Sequence, residues 1–310
     1  MSLSSKVKEE ILSNITDMLP CCKEAFLSAF FRAAGSIVIN NKGLSLSVTG
    51  ENAKLFDFAK DILAVVYGYV CDVRQEYNPI KKRAIYSVTV DDVDILYELN
   101  ILERQEEGTR IAAGINKYAV SEPCCKQSFV KGLFVGCGTV TFPEEKKPAG
   151  YYLEFNLASE EVANDLIKLL GSVGFVFKTA TRGEKTVVYV KDSGTVSDVL
   201  AYLNADKAVL YLQNMLIENN FRNNANRQSN CITANIDKAV VAAEKQTEDI
   251  KLIVEKKGWK FLSPPLTDAA KARLKNESAT MEELAAMCGV TKSGINHRMR
   301  KLAEIAAKLR

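Results

Sequence analysis

At 310 residues the chain is long enough to hold more than one hydrophobic core. Its hydrophobic share of 47% and charged share of 25% are those of an ordinary globular protein, and its longest uncharged run, 132–143, is too short for a helical membrane span. The net charge of +3 hides an asymmetry: residues 221–310 carry 17 Lys and Arg against 10 Asp and Glu, whereas residues 1–220 carry 24 against 28, so the C-terminal part is the one expected to meet a polyanion.

The opening MSLSSKVKEEILSN lacks the apolar run of a secretion signal, so the eight cysteines are expected to be reduced thiols of a cytoplasmic protein. Residues 4–19 predict an amphipathic helix, with Val7, Ile11, Ile15 and Met18 at helical spacing. The next stretch, PCCKEAFLSAFFRAAG at 20–35, returns as PCCKQSFVKGLFVGCG at 123–138, which implies two copies of one supersecondary unit. Each copy has an apolar side (Phe26 and Phe30; Phe129 and Leu133) and a side of small residues at i, i+4 (Ala29 and Ala33; Gly132 and Gly136). Small residues so spaced let two helices approach until their backbones meet, so the copies are expected to pair about a pseudo-twofold axis. Gly35 and Gly138 read as left-handed stops at the helix ends.

The strands SIVIN and LSLSVT then flank a turn at Asn41-Lys42-Gly43. A helix at 52–67, a hairpin of 69–75 with 84–90 across Asn78-Pro79, and a helix at 91–102 follow. The second half repeats this order: helix 124–136, strands 139–142 and 151–157, helix 160–170, strands 175–180 and 186–190, and a helix from Val196. Each half is therefore helix, hairpin, helix, hairpin, helix.

Cys21-Cys22 and Cys124-Cys125 are adjacent pairs. Zinc ligands are usually spaced by two to four residues, so the pairs read as buried helix-start residues, and neither metal nor cofactor is predicted. The repeat symmetry could nevertheless bring both pairs together at matching helix ends, which leaves a metal or redox role as the alternative to the buried-residue reading.

NNFRNNANRQSNC at 219–231 holds six Asn and two Arg, with no acid between Glu218 and Asp237. Residues 221–234 read as a turn-rich linker whose Arg222, Asn226 and Arg227 could also touch a nucleic-acid backbone. A helix at 235–257 carries a seam for one partner helix: Ile236, Val240, Ala243, Thr247, Ile250 and Val254. Pro264-Pro265 breaks the chain before a helix from Asp268.

Thr280 and Glu283 then form a capping box for a helix that ends at Gly289, and Thr291 caps a second helix at 292–309. This is a helix-turn-helix pattern, its second member placed to enter a DNA major groove. Ile295, Met299, Leu302, Ala306 and Leu309 form the seam expected to dock on the 235–257 helix. The other face offers Lys292, Ser293, Asn296, His297, Arg300 and Lys301, with Arg298 beside them. With Thr280 and Thr291 these are the candidate DNA-contacting residues, because Lys and Arg neutralise phosphates and Asn, Arg and Lys pair with base edges. His297 is the only His, so it has no His partner for a metal site.

LSAFFRAAG (27–35) and VKGLFVGCG (130–138) resemble the LAGLIDADG helices of homing endonucleases. That resemblance puts the acid that holds divalent metals at Ala34 and Cys137, and neither is a hard oxygen donor. No Asp or Glu lies in 25–50 or 123–143, so metal-dependent cleavage is not expected.

With NNANRQSNCITANIDKAV and VTKSGINHRMRKL added, essentially the whole chain resembles the WhiA family. The fold implied is α+β: a two-repeat (αββαββα)2 LAGLIDADG-like domain at 1–220, with repeats near 20–105 and 123–205, and an all-α helix-turn-helix domain at 235–310. The function implied is that of a non-enzymatic DNA-binding transcription regulator, tied to cell division, chromosome segregation or sporulation. Its partners would be double-stranded DNA and a protein co-regulator, in the cytoplasm and on the nucleoid. The alternatives are an active endonuclease with relocated carboxylates and a protein-interaction scaffold that does not read DNA. The sequence sets no oligomeric state, and a monomer is compatible with it.

Overall fold

The computed structural model of the chain describes residues 2–15, 18–40, 43–80, 82–106, 108–143 and 150–310. They divide into two units, Met1–Leu216 and Ile217–Arg310. The expected turn residues Asn41 and Lys42 lie outside the described residues.

The first unit is built on helices α2 (Pro20–Ala34) and α5 (Pro123–Cys137), the two copies of the repeated stretch. Each begins with proline where a backbone N–H would have no partner anyway. Their small sides face each other. A Cβ built on Gly136 would lie 2.6 Å from that of Ala33, and one on Gly132 would lie 2.9 Å from that of Ala29 and closer still to the Phe26 carbonyl oxygen. The helices thus meet backbone against backbone, while Phe26, Phe30, Phe129 and Leu133 are buried in the flanking core.

Gly35 and Gly138 are not the left-handed stops that the sequence suggests; their φ values are −83° and −74°, in extended backbone. Their glycine requirement is steric. Each helix passes directly into a strand, and a Cβ would fall 2.8 Å from Leu46 Cδ1 at Gly35 and 2.7 Å from Phe134 Cγ at Gly138.

Those strands start two quasi-equivalent antiparallel sheets. The first holds β1 (Gly35–Asn40), β2 (Gly43–Gly50), β3 (Arg74–Asn78) and β4 (Arg83–Val90) in the order β1-β2-β4-β3. The second holds β7 (Gly138–Thr141), β8 (Tyr152–Leu157), β9 (Lys178–Arg182) and β10 (Lys185–Val190) in the order β7-β8-β10-β9. Helices α3 (Ala53–Tyr67) and α6 (Glu160–Ser172) join the hairpins, and α4 (Val93–Glu98) and α7 (Ser193–Tyr202) close the repeats.

One element was not foreseen. The helix expected over 91–102 stops at Glu98, and β5 (Leu102–Gln105) pairs with β6 (Gly108–Ile111). GTRI is exposed throughout and LERQ buries only Leu102, so they lack the apolar alternation that marks a strand. The hairpin is held instead by the half-buried Arg32 of α2, whose guanidinium donates to the carbonyls of Ala112, at 3.0 Å, and Asn100. Burial lowers the Arg32 pKa to about 10.

The asparagine-rich segment is also corrected. Helix α8 runs unbroken from Asp206 to Lys257, so residues 221–234 are helical rather than turn-rich. Asn costs only a fraction of a kcal/mol per helical position, about 0.7 at most, and extending an existing helix avoids the cost of nucleation. The segment contains neither Gly nor Pro to stop it.

The second unit packs the end of α8 with α9 (Pro264–Lys275), α10 (Met281–Met287) and α11 (Lys292–Leu309). The predicted seam of α8 is shorter than expected: Ile236 and Val240 are exposed, and burial begins at Ala243. Pro264-Pro265 starts α9 rather than preceding it.

Candidate nucleic-acid interface

The helix-turn-helix is set by local chemistry. Thr280 Oγ1 accepts from the N–H of Glu283, and the Glu283 carboxylate accepts from the N–H of Thr280 at 2.7 Å. At the other end of α10, the N–H of Val290 donates to the Ala285 carbonyl at 2.9 Å and that of Gly289 to Ala286 at 3.2 Å. Gly289 takes φ +63°, the one position here where glycine's conformational freedom is used. Thr291 Oγ1 then accepts from the N–H of Gly294 and starts α11.

A residue missed by sequence reasoning fixes the approach to α10. Arg273 is 2% exposed and donates to Gln246 Oε1 at 3.0 Å and to the carbonyls of Glu277 and Ala279 at 3.2 and 2.6 Å. It ties α8, α9 and the loop before α10 together. Burial lowers its pKa. Its signal in the sequence was ambiguous, since an Arg in the last turn of a helix usually serves the helix dipole from the surface.

Ile295, Met299, Leu302 and Ala306 are buried, as predicted, with Ile250 and Ile253 of α8 in the same core. A buried apolar side chain contributes about 1.5–3 kcal/mol. That seam fixes which face of α11 meets solvent. Ser293, Asn296, His297, Arg300 and Lys301 are exposed, and their side chains make no hydrogen bond or ion pair among the described residues. Ser293, Asn296, His297 and Arg300, with Lys292, border an open groove of about 790 Å³ completed by Lys245, Gln246 and Asp249 of α8, and Lys301 lies outside its lining. Lys245 is a second residue that sequence reasoning missed; only the packing of α8 on α11 brings it there.

The remaining predicted residues divide. Lys292 is exposed and pairs with Glu282 at 2.6 Å. Thr280 and Thr291 are exposed, with their hydroxyls engaged as caps. Arg298 is half-buried and donates to the Pro265 carbonyl at 3.3 Å, so the structure turns it from the solvent face toward α9. Its position falls between the buried Ile295–Met299 seam and the free face, where the nearest acceptor decides. Arg222, Asn226 and Arg227 lie on an exposed stretch of α8 and do not line the groove.

In the first unit, Ala34 and Cys137 end their helices beside α1 (Leu3–Ser13), whose Ser4 hydroxyl donates to the Val140 carbonyl at 2.9 Å. Lys8 of α1 interacts electrostatically with Cys137. Burial pushes the Cys137 thiol up to about 12, and burial lowers the Lys8 pKa. The end of α5 therefore carries a buried thiol beside a lysine, and no carboxylate of its own. Among the described residues, one group of three or more Cys, His, Asp or Glu converges closely enough for a metal, and it lies at the opposite ends of α2 and α5: Cys21, Cys22, Cys124 and Cys125.

The two units define a protein with a LAGLIDADG-like repeat body and a helix-turn-helix domain. Comparison with known families gives the same division: the WhiA N-terminal LAGLIDADG-like domain matches residues 20–102, the WhiA LAGLIDADG-like domain 126–222, and the WhiA C-terminal HTH domain 225–306. The chain belongs to the WhiA family. A relative described as "Probable cell division protein WhiA" from Halalkalibacterium halodurans is 34% identical over 319 residues, covering 100% of this chain and 97% of that one. One of the same description from Clostridium botulinum is 35% identical over 323 residues, covering 100% and 99%. The crystal structure of full-length WhiA from Thermatoga maritima aligns over 99% of both chains with a TM-score of 0.59 and 19% identity, which shows the shared fold. No helix among the described residues is long and apolar enough to cross a membrane.

Proposed function

We propose that this chain is a DNA-binding transcription regulator that grips duplex DNA through the exposed face of α11 and does not cut it. The observation that carries the proposal is the cationic face itself: Arg300 and Lys301 beside Asn296, held outward by the buried seam and without a protein partner among the described residues. Such groups neutralise phosphates and pair with base edges once the helix lies in the major groove. Lys292 and Lys245 extend the positive surface along the groove. The names of the relatives support cell division as the regulated process, and nucleoid association would follow from DNA binding.

The absence of cutting rests on chemistry. In-line phosphodiester cleavage by divalent metals needs carboxylate oxygens to hold the ions. The equivalent positions are Ala34 and Cys137, with the Lys8 ammonium electrostatically coupled to the latter. In this reading residues 1–220 form a body that adds shape or protein contacts, and residues 235–310 form the reader, with the Arg222, Asn226 and Arg227 stretch as an auxiliary backbone contact.

The test is a gel-shift titration of genomic fragments with the full chain and with a chain truncated before Thr280, in the presence of Mg²⁺. The full chain should retard DNA without cleaving it, and the truncation should lose the tight complexes. Equal retention by the truncation would favour the repeat body as the binder, no binding by either would favour a protein-interaction scaffold, and site-specific cuts would restore the endonuclease reading.

A further inference from the structure

The four adjacent-pair cysteines, 21–22 and 124–125, form one cluster. Their Sγ atoms all lie within 4.8 Å of one another, with Cys22 and Cys125 buried and Cys21 and Cys124 exposed. The contacts cross the pseudo-twofold axis, Cys22 meeting Cys124 and Cys21 meeting Cys125, so each helix contributes one exposed and one buried sulfur. All four are free thiols. From this geometry we propose that the cluster is a four-thiolate site for a single zinc ion that joins the two repeats.

Tetrahedral zinc with Zn–S bonds of about 2.3 Å sets sulfurs about 3.8 Å apart. The Sγ atoms of Cys124 and Cys125 are 4.0 Å apart, so adjacency does not prevent them from sharing one ion. The usual spacing rule reflects loops that must fold round a metal, whereas here two rigid helix ends bring the pairs face to face.

The surroundings suit an anionic complex. Zn²⁺ with four thiolates carries a net charge of −2. The cysteines occupy the first turns of α2 and α5, the positive ends of the two helix dipoles. Lys131, about two turns deeper in α5, is only 7% exposed and makes no hydrogen bond or ion pair among the described residues; its charge interaction is with Cys22. A buried ammonium without a carboxylate is costly, and a thiolate complex supplies the missing counter-charge. The buried Ser128 hydroxyl favours the thiolate form of Cys22, as a neighbour in the ligand shell would.

Burial pushes the thiols of Cys22 and Cys125 up, while hydrogen bonding from Cys22 pulls that of Cys124 down. Zinc is held by thiolates, so every ligand that carries a proton in the free chain releases it to the buffer on binding, and no electron is transferred. Because the ion needs both helices, its affinity adds to the stability of the α2–α5 pairing.

The experiment uses the full-length chain, reduced and stripped with a chelator. Zinc and, separately, cobalt are titrated in, and bound metal, visible absorption and melting temperature are measured. The expected result is one ion per chain, the ligand-field bands of tetrahedral cobalt thiolate, and a melting temperature that rises with zinc. The doubly substituted chain Cys21→Ser, Cys124→Ser changes only exposed sulfurs; it should keep the fold by circular dichroism and lose the cobalt bands and the zinc-dependent shift. Cys231→Ser, far along α8, should leave all three unchanged. Failure of the wild-type chain to retain an ion would overturn the proposal, as would cobalt bands surviving in the double variant. Cross-linked peptides joining 21–22 to 124–125 in metal-free isolated protein would overturn it in favour of a disulfide pair.

Discussion

The close pairing of α2 and α5 can be tested by moving one methyl group across the axis. A Cβ on Gly136 would sit 2.6 Å from that of Ala33, but 3.4 Å from the nearest backbone atom, the Phe30 carbonyl oxygen. Gly136→Ala should gain about 1 kcal/mol of helix propensity and lose about 1–3 kcal/mol to overpacking, for a net loss of about 1. Ala33→Gly alone should cost about 2 kcal/mol, half from propensity and half from the lost buried methyl. In the double variant the two propensity changes cancel and the collision disappears, so the chain should return to within about 1 kcal/mol of wild type. The coupling energy expected from urea unfolding followed by circular dichroism is about 2 kcal/mol. Simple additivity would refute the backbone-to-backbone crossing. Gly132→Ala should find no equivalent rescue in Ala29→Gly, because the Phe26 carbonyl remains in the way. Gly171→Ala, in α6 with nothing within 4 Å of the new Cβ, serves as the control and should stabilise by up to about 1 kcal/mol.

Other outcomes follow from single contacts. Arg273→Met should destabilise the second unit by about 3 kcal/mol, because it strips buried carbonyls of a charged donor; thermal melting reads this, and Arg273→Lys should recover only part of it. The Glu283 carboxylate is held below its usual range, first by the N–H and then by the hydroxyl of Thr280. A depressed folded-state pKa means its stabilisation is complete above the unfolded value and is lost as pH falls through the folded one, so Glu283→Gln should flatten the acid limb of a stability-against-pH curve. Hydrogen exchange should be fastest within α8 over 221–234, where the helix has no buried face; protection there equal to that at Ile250 and Ile253 would contradict the exposed placement.

The features legible in the sequence were those encoded by spacing. The i, i+4 small residues announced the helix crossing, and Thr280, Glu283, Gly289 and Thr291 announced the turn, because caps and close approaches restrict residue type locally. What stayed hidden depended on partners distant in the chain. Gly35 and Gly138 were rightly singled out for the wrong reason, since φ is not visible in a sequence; at Gly35 a Cβ would meet distant Leu46 as well as the Phe31 carbonyl, and Gly138 is the exception, colliding with Phe134 only four residues back. The β5–β6 hairpin carries no periodic pattern and is held from outside by Arg32. The Asn-rich stretch has turn-favouring composition, yet helix on both sides carries through it. Arg273, Arg298 and Lys245 were assigned, missed or misplaced according to contacts with α8 and α9 that no local window contains.

The central claim, that the solvent face of α11 is the reader, is tested most directly by the salt dependence of duplex binding. Association constants for the wild-type chain and for Arg300→Ala, Lys301→Ala should be measured across a salt series. Each lost phosphate contact reduces the log–log slope by about 0.9, so the double substitution should flatten it by about 2 and weaken binding at every salt concentration. An unchanged slope with unchanged affinity would contradict the account.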